Sequence, residues 1–311
     1  MKTFNNGPKG LLAALFTLIL VFLGATLYEN GIIDEKIYLE LISAAKNEIA
    51  GESDLEVHFI DVDQAECILI KAPDKTVLID SGDIGYEKTV ENYLRTEGIL
   101  SIDLFILTHP HSDHIGSASG ILKSFPVHEV MIPEIPEEFL PTTSVFEKLL
   151  LTISEKNCKF SYSKTGKTYD LGEGIVLEIL GPAGYKGDNL NNYSIISKLT
   201  FGETSFLFTG DAEKEAEILL LDSGADVSCT VFNAGHHGSS TSNSALFLKA
   251  ANPEYAAISC GYKNDYGHPH KEVISSFNDF GIEYYRTDYD GSIVFYSDGE
   301  NITVSKKEMR F

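Results

Sequence analysis

The chain has 311 residues, 43% hydrophobic and 11% aromatic, enough for one large globular domain or two small ones. It carries 46 acidic against 24 basic residues, a formal charge of −22, and its only arginines are Arg95, Arg286 and Arg310. A body this acidic repels polyanions at long range, which excludes strong non-specific binding of duplex DNA, but not hydrolysis of a phosphoester at a pocket whose bound cations set the local field.

The N-terminal segment stands apart. Residues 1–10 contain Lys2 and Lys9 and no acid, and Leu11 to Tyr28 is a run of 18 uncharged, mostly apolar residues. At ~1.5 Å rise per residue, such a run is just long enough to cross a bilayer. Glu29, Asp34 and Glu35 follow, so the flanking charges orient the N-terminus inward and the body outward. A signal anchor and a cleaved signal peptide both fit; Gly24-Ala25-Thr26 offers small residues but no clear cleavage motif. Residues 1–30 are therefore expected to be a signal anchor or signal peptide, residues 31–54 a helical linker and residues 55–311 the catalytic domain. The expected location is the extracellular face of the membrane, or secretion.

Within the linker, Ile32 to Ile49 reads as an amphipathic helix broken by Gly51-Glu52-Ser53-Asp54. From Leu55 the pattern is strand-rich: Val57–Ile60, Cys67–Lys71 and Thr76–Asp80, with a turn at Pro73-Asp74-Lys75. A helix over Tyr86–Glu97, a buried strand over Leu104–Thr108, a helix over Ile115–Ser124, a strand over Val127–Ile132 and a helix over Ser144–Glu155 follow. The second half repeats the style, with strands at Ile175–Leu180, Ser194–Phe201, Ser205–Thr209, Val227–Phe232, Tyr255–Ser259, Glu283–Arg286 and Ser292–Tyr296. Helices are expected at Ala212–Leu221, Ser244–Ala251 and Lys271–Phe280. This order fits an α/β αββα sandwich, two mixed β-sheets packed together with helices outside. Cys67, Cys158, Cys229 and Cys260 form no C-x-x-C pair and read as small buried hydrophobes.

Polar residues cluster where strands end. His109-Pro110-His111-Ser112-Asp113-His114 places three imidazoles and a carboxylate on one strand-to-helix turn. That is a poor core filling, because each group needs a partner if buried, and a good metal-binding set. Asp80-Ser81-Gly82-Asp83, Thr209-Gly210-Asp211, His236-His237-Gly238 and His268-Pro269-His270 also lie at or past strand ends. Seven of the nine histidines fall in these segments; His58 and His128, inside strand-like runs, read as structural.

His109-x-His111-x-Asp113-His114, with Asp80 upstream and Asp211 and His237 downstream, resembles the metallo-β-lactamase superfamily over about residues 55–305. The strings FIDVDQAECILI, VLIDSGD, FLFTGDAE, GHHGS, NDYGHPH and TDYDGSI resemble the extracellular hydrolase domain of ComEC-type DNA-uptake proteins and their stand-alone relatives, choline-binding phosphodiesterases among them. The resemblance implies two divalent metal ions, expected to be zinc with manganese as the alternative, and a metal-bridging hydroxide that attacks the substrate. It implies that His109 and His111 hold the first metal, that Asp113, His114 and His237 hold the second, and that Asp211 bridges both. Asp80 would orient a ligand imidazole from behind. His236 and His268 would contact the anionic group of the substrate, although the adjacent pair leaves open which of His236 and His237 is the ligand.

Two departures bear on the substrate. Hydrolytic β-lactamases and lactonases place a third histidine of the first metal before the strand at Ser194–Phe201, where this chain has Asn189-Leu190-Asn191-Asn192. The ComEC-like branch also has asparagine there, and Asn191 either contacts metal through its oxygen or hydrogen-bonds nearby. Asp63-Gln64-Ala65-Glu66 replaces a glycine-rich GQGD and is expected to reshape the pocket rim. The first expectation is an exported metal-dependent phosphodiesterase or nuclease, its substrate a nucleic-acid strand or a phosphodiester of the cell envelope. An acyl hydrolase of β-lactamase or lactonase type and a non-catalytic DNA-uptake or envelope accessory are the alternatives.

Overall fold

The computed structural model describes residues 23, 26–28, 30–34, 37, 55–156 and 158–307. Most of the expected anchor and linker lies outside the described residues, and among the described residues no helix is long and apolar enough to cross a membrane. The chain divides into two compact units, residues 1–53 with 92–100 and residues 54–91 with 101–311. In the first, Asn30 Nδ2 donates to the Thr26 carbonyl at 2.7 Å. The second holds every candidate site residue.

The strands of the second unit are β1 (Leu55–Phe59), β2 (Ile68–Lys71), β3 (Thr76–Ile79), β4 (Ile102–Ile106), β5 (Val127–Ile132), β6 (Lys159–Tyr162), β7 (Thr168–Asp170) and β8 (Val176–Ile179). They continue with β9 (Ser197–Phe201), β10 (Thr204–Phe208), β11 (Val231–Asn233), β12 (Tyr255–Ile258), β13 (Glu283–Arg286), β14 (Ser292–Ser297) and β15 (Ile302–Lys307). Eight form one sheet in the order β15-β14-β1-β2-β3-β4-β5-β6, and seven form the other in the order β13-β12-β11-β10-β9-β8-β7. Each sheet is mixed: β3, β4, β5 and β6 are mutually parallel, as are β10 to β13, while the remaining neighbours are antiparallel.

Strand alternation explains why the sheets pack face to face. Leu55, Val57 and Phe59 of β1 and Phe206 and Phe208 of β10 meet in one buried cluster between the sheets. The alternate residues Leu207 and Phe232 turn outward, into a second cluster with helices α5 (Lys214–Asp222), α6 (Ala245–Ala251) and α7 (Lys271–Phe280). Earlier in the chain lie α1 (Glu87–Thr96), α2 (Ser112–Ile115), α3 (Ala118–Ser124) and α4 (Ser144–Glu155); α8 (Thr287–Asp290) closes the helical set among the described residues. Two mixed sheets flanked by helices make the αββα sandwich that the element order implied.

Three local expectations need correction. The helix expected over Ile115–Ser124 is two pieces, α2 and α3, because the turn at Gly116 rides directly on the backbone of Asp83 and Ile84, where a Cβ has no room, and Ser117 Oγ donates to the Asp83 carbonyl at 2.6 Å. The strand expected over Val227–Phe232 shrinks to β11, because Asp226 Oδ1 accepts from both the backbone N–H and the hydroxyl of Ser228 in a local turn. Strands β6, β7 and β15 were not read from the sequence; all three are sheet edges, and β6 and β7 are short with mostly exposed side chains. The four cysteines are unpaired: Cys67, Cys229 and Cys260 are buried and Cys158 is half-buried. His58 lies in β1 and His128 in β5, away from the strand ends that carry the other histidines.

Candidate metal centre

Five strand ends deliver the site. Asp80 follows β3, the His109–His114 turn follows β4, Asp211 follows β10, His236 and His237 follow β11, and His268 lies in the loop after β12. Asp211 sits behind Gly210, whose φ of +49° and close approach to Thr108 and Ser194 favour a residue without a Cβ. Ser194 Oγ accepts from the Asp211 backbone N–H at 3.1 Å.

The two oxygens of Asp211 face different groups. Oδ1 is 3.2 Å from His114 Nε2 and 3.8 Å from His237 Nε2. Oδ2 is 3.4 Å from His236 Nε2 and 3.7 Å from His109 Nε2. Asp113 Oδ2 joins the first group, 3.3 Å from His237 Nε2. On the other side His109 Nε2 stands 3.0 Å from His111 Nδ1. Asn191 lies at the same pocket wall, its Nδ2 donating to Glu213 Oε1 at 3.2 Å while its Oδ1 is buried without a partner.

The donor set fits a divalent cation. Ligand atoms of Asp113, His114, Asp211 and His237 all lie within 4.8 Å of one another. His114 Nε2, His237 Nε2 and Asp211 Oδ1 are buried with no hydrogen-bond partner, an arrangement that is unfavourable unless a cation or protons fill it. The far nitrogens are engaged: His237 Nδ1 faces the Ser259 carbonyl at 2.9 Å and His114 Nδ1 faces Asp80 Oδ2 at 2.7 Å, which aims both Nε2 atoms inward.

The electrostatics agree. Burial opposes charge on Asp211, yet His114, His237 and His109 hold its carboxyl well below the usual range. Burial likewise opposes charge on His114, but Asp211, Asp80 and Asp113 raise it well above an ordinary imidazole. His109 is pushed the other way, by burial first and then by the neighbouring His114. Three carboxylates in one buried place thus demand positive charge, which bound metal would supply.

His236 and His237 both have left-handed backbone, with φ of +53° and +54°. Two consecutive non-glycine residues there are strained, and strain of this kind persists where surrounding structure holds it for a purpose. Here it brings adjacent imidazoles onto opposite oxygens of one carboxylate.

Around the metal groups, a polar cavity of about 470 Å³ is lined by His111, Asn191, His236, Gln64, Tyr266 and His268 among others. Gln64 Oε1 accepts from the Gly261 N–H at 3.0 Å, so its amide nitrogen faces His268 Nδ1 at 3.3 Å. That fixes His268 with Nε2–H as its remaining donor. Burial, then the nearby His237, His236 and His270, lowers its pKa to about 4. His268 stacks between Tyr266 (5.6 Å, 24°) and His237 (6.3 Å, 23°).

The segment expected to form the rim is divided. Gln64 lines the cavity, but Glu66 is 1% exposed and lies beneath it, its Oε2 accepting from Asn233 Nδ2 at 2.9 Å. Burial pushes the Glu66 carboxyl up to about 7. Glu213, which reading of the sequence missed, joins the site through Asn191, Asn189 and His236. Glu213 closes the string FLFTGDAE, but residue order does not say that its carboxylate turns back toward Asn191 and His236.

A two-sheet sandwich with clustered imidazoles and carboxylates at its strand ends defines a metallo-hydrolase fold. The sequence pattern of the metallo-beta-lactamase superfamily matches residues 60–262, and the chain belongs to that superfamily. It is similar to ComE operon protein 3 of Bacillus subtilis (strain 168), 31% identical over 261 residues that cover 78% of this chain and 33% of that protein. It is also similar to Competence protein ComA of Neisseria gonorrhoeae, 28% identical over 250 residues, 80% of this chain and 33% of that one. The chain thus spans about one third of the length of these curated relatives. Its fold is similar to that of Igni18, a metallo hydrolase of Ignicoccus hospitalis KIN4/I, with a TM-score of 0.50 and 15% identity over 77% of this chain and 98% of that one.

Proposed function

We propose that the chain is a dinuclear metal-dependent phosphodiesterase that acts outside the membrane on a nucleic-acid strand. The observation that carries this reading is the division of Asp211, one carboxylate whose two oxygens face separate groups of nitrogen donors. Asp113, His114 and His237 with Asp211 Oδ1 would hold one cation; His109 and His111 with Asp211 Oδ2 would hold the other. Bound divalent cations would supply Lewis acidity, lowering the pKa of a water toward ~7 and offsetting negative charge at phosphorus. The chain's own residues do the rest. Asp80 orients His114, and His268 presents Nε2–H to a non-bridging phosphate oxygen while Gln64 holds its ring.

A phosphodiester is favoured over an acyl substrate because Asn191 stands where the acyl hydrolases of the superfamily place a third histidine. The name of one relative, Competence protein ComA, favours a nucleic-acid strand. With a formal charge of −22, the chain favours single-stranded ends that reach the pocket over a duplex laid on the surface. Export rests on Lys2, Lys9 and the apolar run of residues 11–28.

The test pairs metal analysis of the purified protein with hydrolysis of bis-p-nitrophenyl phosphate, nitrocefin, single-stranded DNA and a teichoic-acid-type phosphodiester. Metal-dependent cleavage of the first and third, abolished by Asp211→Ala, is expected. Cleavage of nitrocefin alone would overturn the reaction class, and cleavage of the envelope phosphodiester alone would overturn the substrate.

A further inference from the structure

His236 was expected to contact the anionic group of the substrate, and the surroundings of its two ring nitrogens bear on a further role. Its Nε2 lies 3.4 Å from Asp211 Oδ2, on the same side as His109 Nε2 at 3.7 Å. Its other ring nitrogen, Nδ1, faces Thr241 Oγ1 at 3.1 Å and Glu213 Oε1 at 3.5 Å. In the tautomer that donates Nδ1–H to Thr241 Oγ1, with the Glu213 carboxylate close by, Nε2 is left as a lone pair aimed at an anionic oxygen. Two acceptors face each other there, and a cation between them resolves the conflict.

Glu213 does more than hold one ring. Its Oε1 also accepts from Asn191 Nδ2 at 3.2 Å and its Oε2 from Asn189 Nδ2 at 3.0 Å. With the Asn191 nitrogen committed to Glu213, its carbonyl Oδ1 is the atom left buried and unpartnered beside the same cavity. One carboxylate therefore points two donor atoms, His236 Nε2 and Asn191 Oδ1, toward the side of Asp211 that already carries His109 and His111. On the opposite side Asp80 hydrogen-bonds the far nitrogen of His114 at 2.7 Å; Glu213 lies near the far nitrogen of His236 at the longer distance of 3.5 Å, beside the Thr241 hydroxyl that bonds it.

We infer that His236 is a protein ligand of the first metal, taking the place left by the missing third histidine, and that Glu213 is the positioning residue that orients both His236 and Asn191. The strained left-handed pair at 236 and 237 then has a use: it lets neighbours in sequence serve two different ions across one bridging carboxylate. The inference rests on the two-metal reading of the site, but not on the identity of the substrate.

Metal stoichiometry and affinity test it directly. The full chain is loaded with zinc, desalted and titrated with a chromophoric chelator, and the absorption of the cobalt form is recorded. Wild type is expected to hold two equivalents. His236→Ala should keep the equivalent at Asp113, His114 and His237 and lose or weaken the other at least tenfold, with a changed cobalt spectrum. Glu213→Gln should weaken that same equivalent by about 10–100-fold, the usual cost of losing a carboxylate behind a metal-bound imidazole. Asp113→Ala should strike the opposite equivalent. Circular dichroism checks folding, and if His236→Ala does not fold, His236→Gln and Glu213→Gln answer the same question. Two equivalents of unchanged affinity in the 236 and 213 variants, or a single equivalent in wild type, would overturn the assignment. A wild type with two equivalents that cleaves no phosphodiester would sink the proposed reaction and leave the assignment standing.

Discussion

Asp80 Oδ2 and His114 Nδ1 lie 2.7 Å apart with both side chains fully buried. The same carboxylate accepts from the Thr108 backbone N–H at 2.7 Å and the Thr108 hydroxyl at 2.6 Å, so both of its oxygens are held in place. Asp80→Asn places an amide N–H against one of these donors. It is expected to weaken binding of the metal at His114 by about 10–100-fold while the protein stays folded. Chelator competition measures this, and an unchanged affinity would show that Asp80 serves only to tie β3 to β4.

His268 separates binding of the substrate from binding of the metal. Its ring is held by Gln64, whereas the imidazoles that meet Asp211 are those of His109, His114, His236 and His237, so His268→Ala should leave both metal equivalents in place. Losing one hydrogen bond to a charged phosphate costs about 1.5–3 kcal/mol, or roughly 10–100-fold in kcat/KM. Steady-state kinetics beside metal analysis checks it; loss of a metal equivalent would move His268 from substrate contact to ligand.

Between the sheets, Phe295 is fully buried and meets Phe59 (5.8 Å, 79°), Phe206 (6.3 Å, 80°) and Tyr285 (5.9 Å, 83°) edge to face. This ring joins both sheets, so Phe295→Ala is expected to destabilise the fold by about 3–5 kcal/mol. Urea denaturation measures the loss. A change within the ~0.5 kcal/mol of surface substitutions would contradict the packing.

On the face of β5 that it shares with Met131, towards the other sheet, Glu129 accepts from Lys159 Nζ (2.8 Å), Ser161 Oγ (2.6 Å), Lys167 Nζ (3.0 Å) and Tyr169 OH (2.9 Å). Burial works to raise its pKa, but these donors outweigh it and hold the carboxyl at about 2, against 4.5 for a free glutamate. A folded pKa below the unfolded one stabilises the protein above pH 4.5, and that contribution is lost as the pH falls toward 2. Glu129→Gln should therefore lower Tm near neutrality, and the gap to wild type should close as the solution is acidified through that window. A gap independent of pH would assign the effect to packing alone.

Much of the fold was legible because it is local. Helices Ser144–Glu155 and Lys271–Phe280 have the bounds their periodicity implies, and the buried central strands announced themselves as apolar runs. The missed strands β6, β7 and β15 are edges, and β6 and β7 are too short and too exposed to carry an alternating pattern. The split at Gly116 was hidden because its cause, the backbone of Asp83 and Ile84, lies far away in sequence.

The candidate site divides along the same line. Residues 109–114 declared themselves in sequence because a β-strand running into a tight turn puts near neighbours in one place, and three imidazoles with a carboxylate have few other uses. Residue order and resemblance also pointed to Asp80, Asp211 and His237. Only the tertiary structure set His236 and His237 on opposite oxygens of Asp211, put Glu213 behind His236, locked His268 with Gln64, and sank Glu66 beneath the cavity. Each of these depends on side-chain direction and on contacts between residues about 20 to 200 positions apart. A strand end fixes where a residue stands; the packing of two sheets decides what its far atom meets.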